Sequence, residues 1–234
     1  MKVDIWSDIR CPFCYVGKKK FENALEQFPD AEKIEITWHS FQLDPNLVTQ
    51  PDTNPYDYFS KAKGIPVEQA KAMHEHAKNA GKEAGINFSF DESKVANSFK
   101  GHLLIQLAKK KNLANEMEEA LFEAQFITGK NIDDETTLVE IGKSVGLAAE
   151  DISNAFNSDE LANAVAQDGL MARQLGINAV PFFVFNDKYG VSGAQQPEHF
   201  LEVLNASWKE FSAGDKGLQI ISQGESCDTD GNCD

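Results

Sequence analysis

The spacing of apolar and polar residues at the start of the chain predicts a strand, a helix and a second strand. Residues 2–7 alternate between the two classes and are rich in strand-forming side chains. Apolar residues then recur at helical spacing as far as Phe28, and Pro29–Asp30 ends that pattern. Residues 33–41 again have the composition of a strand. The chain is therefore predicted to open with a βαβ unit.

The middle of the chain has a different pattern. From about Pro51 to Asp168 the apolar residues recur at helical spacing and no segment is a convincing strand. This block is predicted to be an all-helical insertion. A helix is expected at 159–175, around the end of the insertion. Beyond it we expect a strand at 182–186, its hairpin partner at 189–191 and a final helix at 197–211.

Composition and charge narrow the class of protein. The chain has 234 residues, 41% hydrophobic and 25% charged, which is enough for one large domain or two small ones. Its net charge of −15 argues against nucleic-acid partners and anionic membrane surfaces. No apolar run is long enough to span a bilayer, and the first residues lack a signal-peptide pattern. We therefore expect a cytoplasmic protein, although a secreted protein after cleavage would fit the same sequence.

The four cysteines form two local pairs at opposite ends of the chain, Cys11 with Cys14 and Cys227 with Cys233. A disulfide framework in a small secreted fold would scatter its cysteines, so this arrangement favours redox or metal chemistry. A zinc site would need two more ligands near Cys11 and Cys14. The five histidines supply no such spacing, and redox chemistry is the preferred interpretation.

The Cys11–Pro12–Phe13–Cys14 motif lies where the first strand gives way to the helix. A helix N-terminus stabilises a thiolate, and proline fits the first turn because its missing N–H costs nothing there. Cys14 follows one turn later on the same face. We therefore expect Cys11 to attack disulfides and Cys14 to resolve the mixed disulfide.

A CxxC motif that opens a helix in a βαβ unit is typical of a thioredoxin-like arrangement. We therefore predict an α/β, thioredoxin-like fold with a large all-helical insertion. The predicted thioredoxin-like domain comprises residues 1–50 and 168–212, and the insertion comprises 51–167. Residues 213–234 are rich in Gly, Ser and Asp and are predicted to form a flexible tail.

The Val180–Pro181 dipeptide precedes the predicted strand 182–186. Proline cannot lie centrally in a sheet, and in thioredoxin-like folds a cis-proline at this place faces the CxxC motif. We expect Val180 and Pro181, together with Pro12 and Phe13, to bind substrate. The alternative is an ordinary trans proline in a turn.

These segments resemble the DsbA family, and more closely its FrnE-like subgroup. The resemblance is carried by CPFCYVG at 11–17, by Phe41–Gln42–Leu43–Asp44–Pro45, and by Gly176 to Phe185 followed by Ser192–Gly193–Ala194–Gln195. It implies a protein disulfide oxidoreductase or isomerase that needs no cofactor or metal. Its implied substrates are cysteine-containing polypeptides, and glutathione or a thioredoxin-type protein is a candidate reductant.

The same fold is shared with 2-hydroxychromene-2-carboxylate isomerases and kappa-class glutathione transferases, which typically have serine at the nucleophile position. Cys11 with a resolving Cys14 favours disulfide exchange over that glutathione-dependent chemistry. A third alternative is a holdase-type chaperone that uses an apolar groove.

Two further groups of residues are candidates for function. Asn97 with His102 resembles a stretch of the family's helical domain and is a candidate for the active-site face; the alternatives are a capping residue and a partly buried helix residue. Cys227 and Cys233 form a C-x₅-C pair, and the preceding tail could span ~50 Å when extended. They are a candidate second redox pair, with a passive disulfide or inert thiols as alternatives.

Overall fold

The structure is a computed structural model that describes residues 1–213, 219–223 and 227–228. A five-stranded sheet in the order β2-β1-β4-β5-β6 forms its centre, and a separate two-stranded ladder joins β3 to β7. The strands are β1 (Lys2–Ser7), β2 (Glu35–Ser40), β3 (Ala179–Val180), β4 (Phe182–Phe185), β5 (Tyr189–Ser192), β6 (Gln219–Gln223) and β7 (Cys227–Asp228).

The predicted βαβ unit is confirmed. Helix α1 (Pro12–Glu26) connects β1 to β2, and the two strands pair in parallel from Lys2 opposite Glu35 to Ser7 opposite Ser40. The first strand of the pair is buried almost throughout, because β4 covers its other edge as an antiparallel neighbour. The unit thereby fixes the end of β1, and the loop that follows it, near the centre of the sheet.

The predicted hairpin is confirmed as β4 and β5, which pair from Phe182 opposite Ser192 to Phe185 opposite Tyr189. Asn186 and Asp187 take left-handed φ angles of 52° and 57°, and Lys188 N–H donates to the Phe185 carbonyl at 3.0 Å across them. Such left-handed turns match the twist of paired strands, and short polar residues tolerate them.

The all-helical insertion is confirmed between β2 and β3. The helices here are α2 (Pro55–Lys63), α3 (Val67–Glu83), α4 (Phe99–Lys109), α5 (Ala114–Phe126), α6 (Glu135–Ser144), α7 (Ala149–Ala155) and α8 (Asp159–Gln174). The limit that we predicted between residues 167 and 168 falls inside α8, which packs against β2 together with α4. The division into domains stays a prediction.

Aromatic packing joins α1 to the last helix, α9 (Pro197–Ala213), and both to the sheet. The Phe21 ring lies 5.4 Å from the ring of Phe183, 6.0 Å from that of Phe185 and 5.6 Å from that of Phe200. All four side chains are buried. Because α1 begins at the CPFC motif, this core holds the motif in a fixed place. Within the described residues, no helix is long and apolar enough to cross a membrane.

Two strands lie in the segment for which we predicted no regular structure. β6 pairs in parallel with β5 at the edge of the sheet, with an irregularity between Gly190 and Val191, and β7 pairs with β3. The flanking Gly, Ser and Asp residues obscure the short Ile220–Ile221 pattern, and the pairing depends on a sheet edge that sequence does not reveal. The remaining positions of the predicted flexible tail, including Cys233, lie outside the described residues.

Candidate active site

The CPFC motif forms the beginning of α1. Cys11 is the N-cap residue with extended backbone angles, and Pro12 begins the helix. The Cys11 N–H donates to the Asp8 carbonyl at 2.9 Å, and the Cys14 N–H donates to the Cys11 carbonyl at 3.0 Å. The first turn contains no acidic residue, so no carboxylate there opposes the positive end of the helix dipole. Cys11 therefore lies at the positive end of the α1 dipole, with no acidic side chain in the first turn beside it.

The two cysteines are both buried. Burial raises the pKa of the Cys14 thiol well above its usual range, and the hydrogen bond and charge of Cys11 raise it further. Cys14 therefore holds its proton at neutral pH. A protonated second thiol suits a resolving role, because it does not compete with Cys11 for the first attack.

The Val180–Pro181 peptide bond is cis, as predicted. The Val180 carbonyl oxygen lies 3.6 Å from the Cys11 sulfur, which confirms that this backbone faces the motif. Gly17 permits the close approach of α1, since a Cβ atom there would lie only 2.9 Å from the Pro181 ring. Strand β7 pairs with β3 so that Cys227 lies in register with Val180.

A groove of about 1020 Å³ opens beside the motif, and Pro12 and Phe13 line one end of it. Its wall is aromatic at Tyr58, Phe59 and Phe90. Positively charged side chains also line the groove, at Arg10, Lys63 and Arg173. An apolar groove of this volume next to the CPFC motif has the size and character of a binding site for a peptide segment or a small organic ligand.

Asn97 ties the insertion to the loop after β2. Its side-chain amide donates to the Leu47 carbonyl at 2.8 Å, and its side-chain oxygen accepts from Phe99 N–H at 2.8 Å. These contacts resemble those of a capping residue more than those of a substrate ligand. An active-site role for Asn97 stays a prediction without a contact that supports it.

His102 reaches the active site indirectly, through Asp8, which our sequence analysis missed. The fully buried His102 ring has its Nε2 atom 3.5 Å from Asp8 Oδ1. The Asp8 carboxylate accepts from Leu43 N–H at 2.7 Å and from Arg10 N–H at 3.1 Å. Burial alone would raise the pKa of Asp8, but His102 and Arg10 outweigh it and hold that pKa below its usual range. Asp8 therefore fixes the loop that carries Cys11. In the sequence, the only indication of this role was the position of Asp8 three residues before the motif.

No cluster of three or more His, Cys, Asp or Glu side chains suited to a metal ion occurs among the residues that the structure describes. The groups that converge on the motif are instead thiols, a backbone carbonyl and the apolar groove. A pair of thiols can form and break disulfide bonds.

Comparison with known proteins agrees with this geometry. The family model described as a DSBA-like thioredoxin domain matches residues 2–205. The chain therefore belongs to the family of DSBA-like thioredoxin domains.

Individual relatives cover nearly the whole chain. The structure of a probable DsbA oxidoreductase, SCO1869 from Streptomyces coelicolor, is 33% identical with a TM-score of 0.83, covering 100% of this chain and 98% of the other. The uncharacterized protein YwbO of Bacillus subtilis is 25% identical over 89% of this chain and 98% of its own length. A 2-hydroxychromene-2-carboxylate isomerase is 13% identical with a TM-score of 0.67, covering 92% of this chain and 100% of the isomerase, which confirms the shared fold.

Proposed function

We propose that this protein is a cytoplasmic thiol–disulfide oxidoreductase or isomerase of the FrnE-like subgroup, acting on cysteine-containing polypeptides. The observation that carries the proposal is the placement of Cys11 at the N-terminus of α1, one turn before the buried Cys14 and 3.6 Å from the Val180 carbonyl. In the forward step the Cys11 thiolate attacks a substrate disulfide. Cys14 then attacks Cys11, which releases the second substrate sulfur as a thiolate.

The substrate would bind on two surfaces that meet at Cys11. The backbone of Val180 beside Pro181 would accept an extended peptide as a strand in place of β7. The groove behind Pro12 and Phe13 would accept an apolar side chain of the same peptide. Glutathione or a thioredoxin-type protein would return electrons to the Cys11–Cys14 disulfide.

The reduction potential of the Cys11–Cys14 pair is expected to lie between about −270 and −120 mV, the values for thioredoxin and DsbA. The helix N-terminus stabilises the thiolate and so the reduced form, which makes the pair more oxidising. Pro12 and Phe13 add no charge between the cysteines, so this stabilisation stays moderate. Equilibration with glutathione buffers followed by thiol labelling and mass spectrometry measures the value. A potential well above −120 mV would indicate a dedicated oxidant and would contradict the cytoplasmic assignment.

The function itself is tested by insulin reduction with glutathione as the electron donor. We expect turnover that requires Cys11. Glutathione conjugation that survives Cys14→Ser would instead indicate a transferase or isomerase, and suppression of aggregation independent of both cysteines would indicate a chaperone. Either result without insulin reduction would contradict the proposal.

Cys227 and Cys233 are proposed as a second redox pair that exchanges disulfides with the first. The supporting observation is that β7 occupies the backbone edge at Val180 that a substrate would use, in the register that puts Cys227 opposite Val180. In this exchange the Cys11 thiolate attacks a Cys227–Cys233 disulfide and releases the Cys233 thiolate. Cys14 then attacks Cys11 and releases Cys227, leaving the first pair oxidised and the second reduced.

Removal of the resolving thiol is expected to trap this exchange. In a Cys14→Ser chain, the Cys11–Cys227 disulfide should accumulate within one molecule, because nothing displaces Cys227 except Cys233. Peptide mapping by mass spectrometry under non-reducing conditions identifies the linked peptides. The control is the double variant Cys14→Ser, Cys233→Ser, which has no Cys227–Cys233 disulfide for Cys11 to attack. Any Cys11–Cys227 link that this variant forms after mild oxidation comes from direct oxidation of the two thiols and not from exchange. A link from Cys11 to Cys233 in equal yield would mean that the β7 register does not direct the reaction.

A further inference from the structure

The groove beside the CPFC motif carries a charge opposite in sign to that of the whole chain. Among the described residues that line it, four are lysine or arginine and one, Asp44, is acidic. The complete chain has 22 lysine and arginine residues against 37 acidic ones. The positive lining therefore does not follow from the composition, and it would attract negative charge to the groove of an otherwise acidic molecule.

Both arginines of the chain belong to this lining. Arg10 directly precedes Cys11, and Arg173 is the exposed penultimate residue of α8. The remaining 20 of the 22 basic residues are lysines. A guanidinium group presents a planar fork of donors that fits a carboxylate in two parallel hydrogen bonds, which an ammonium group does not. The residue type best suited to binding carboxylates is thus confined to the groove beside the reactive cysteines.

The charges on this lining are available to a ligand. Within the part of the chain that the structure describes, Arg173 forms no ion pair. Arg10 lies near the Asp8 carboxylate and helps to lower its pKa, but that carboxylate is completely buried and accepts from Leu43 N–H. The Arg10 side chain is itself only partly buried, so it can also meet a carboxylate that enters the groove.

The sequence that the chain itself brings to Val180 is acidic around its cysteine. Cys227 pairs with Val180, and residues 225–228 have the order Glu-Ser-Cys-Asp. Strand β7 lies where a substrate strand would bind, so its sequence indicates what the site accepts. Two carboxylates close to one cysteine would match the two arginines close to Cys11.

We propose that the groove selects polypeptides with acidic residues beside the reacting cysteine. Arg10 and Arg173 bind the carboxylates, and the aromatic wall takes an apolar side chain of the same segment. The inference deepens the disulfide-exchange function proposed above and rests on it. Binding brings the substrate disulfide to Cys11, and the bonds that then form and break are those already described for that function.

The test uses two peptides in which the cysteine carries an uncharged pyridyl disulfide, so that the leaving group does not compete for the arginines. One has the order Phe-Glu-Ser-Cys-Asp with blocked termini, and the other has Gln and Asn in place of Glu and Asp. Attack by Cys11 on the peptide sulfur releases pyridine-2-thione, whose absorbance gives a rate constant. Dividing each rate constant by that for dithiothreitol removes the difference in intrinsic reactivity. The parent chain is full-length with Cys227→Ser and Cys233→Ser, so that only the first pair reacts.

We expect the parent chain to react about tenfold faster with the acidic peptide than with its amide counterpart, the effect of two partly exposed ion pairs. Arg173→Gln should reduce this preference to about threefold, and Arg10→Gln with Arg173→Gln to about twofold or less. The matched control is Lys143→Gln, which removes one charge from an exposed position on α6 outside the groove and should keep the preference. In about 1 M NaCl the preference of the parent chain should shrink, because the Debye length is then about 3 Å.

Equal preferences in the parent chain and the double arginine variant would overturn the inference. An equal loss in Lys143→Gln would also overturn it, since the overall charge and not the groove would then be responsible. Fast reaction with the pyridyl disulfide of glutathione, without a preference between the two peptides, would assign the arginines to a small thiol instead. If neither peptide releases pyridine-2-thione, the proposed function fails, so the two failures are distinguishable. Arg173→Gln, a change on an exposed helix surface, keeps the test decisive if the double variant does not fold.

Discussion

Replacement of Cys11 by serine is expected to lower the rate of insulin reduction by more than about 1000-fold, because a serine hydroxyl is not ionised at neutral pH and does not attack a disulfide. Cys11 stands at the N-terminus of α1, at the positive end of the helix dipole. The measurement is turbidity from precipitated insulin chains with glutathione as the reductant. Residual activity within tenfold of the parent chain would mean that another thiol starts the reaction.

Cys14→Ser is the matched variant, and its expected phenotype is different. The first attack by Cys11 should proceed, but the mixed disulfide with the substrate should persist because the resolving thiol is absent. Mass spectrometry of the intact protein should then show the substrate attached to Cys11. Brief alkylation of the reduced parent chain near pH 7 supplies a control, since the raised pKa of Cys14 predicts faster labelling of Cys11. Faster labelling of Cys14 would reverse the two roles.

The elements of this fold that depend on local sequence could be predicted. Hydrophobic spacing indicated β1, α1, β2 and the helical insertion, since burial of one face imposes a fixed period on each element. The CPFC motif and the Val180–Pro181 dipeptide were predicted to lie together, and they do. In each case the relevant signal lay within a few residues of the element or followed from the order of elements in a common fold.

Contacts between distant polar residues could not be predicted in this way. Asp8 lies beside the motif and His102 reaches it from α4 of the insertion, and nothing in their local sequences indicates that the two residues meet. Likewise, β6 and β7 form because sheet edges are available to them. Such contacts depend on the packed arrangement of the helices.

A second polar group that the sequence did not indicate is the buried cluster around His39. The His39 ring lies between two carboxylates, with Nε2 2.6 Å from Asp4 Oδ1 and Nδ1 2.7 Å from Asp168 Oδ1. Asp168 Oδ2 accepts from Ser40 N–H at 2.9 Å and from the Gln106 amide at 2.6 Å. Helix α8 is thereby bound to β2 and α4 through one carboxylate. If the Asp168 carboxylate were neutralised, the groups that donate to it would lose their charged partner.

Asp168→Asn is expected to lower the free energy of unfolding by about 3–5 kcal/mol, as when one partner of a buried ion pair is removed. The substitution keeps the side-chain shape but removes the charge beside His39 and turns one acceptor oxygen into a donor facing a donor. The matched control is Glu160→Gln on the same helix, whose exposed ion pair with Lys110 should contribute less than about 1 kcal/mol. Urea unfolding followed by circular dichroism measures both variants.

The pH dependence of the free energy of unfolding provides a second test of the same cluster. Burial alone would raise the pKa of Asp168, but His39 and Lys109 hold that pKa below its usual value. The contribution of Asp168 to the free energy of unfolding is therefore present above about pH 4 and is lost as pH falls through the lowered pKa. Burial alone would lower the pKa of His39, but Asp168 and Asp4 raise it. The contribution of His39 to the free energy of unfolding is therefore complete below about pH 6.5 and is lost as pH rises through the raised pKa.

The parent chain should therefore gain most from this cluster between about pH 4 and 6.5. In Asp168→Asn the His39 imidazolium loses the neighbour that most favours it, so its pKa should fall and the loss of stability above pH 6.5 should become shallower. Glu160→Gln should keep the slope of the parent chain. If Asp168→Asn and Glu160→Gln destabilise the protein equally and share that slope, the carboxylate of Asp168 does not stabilise the charged form of His39, and α8 is held to the sheet by its other contacts.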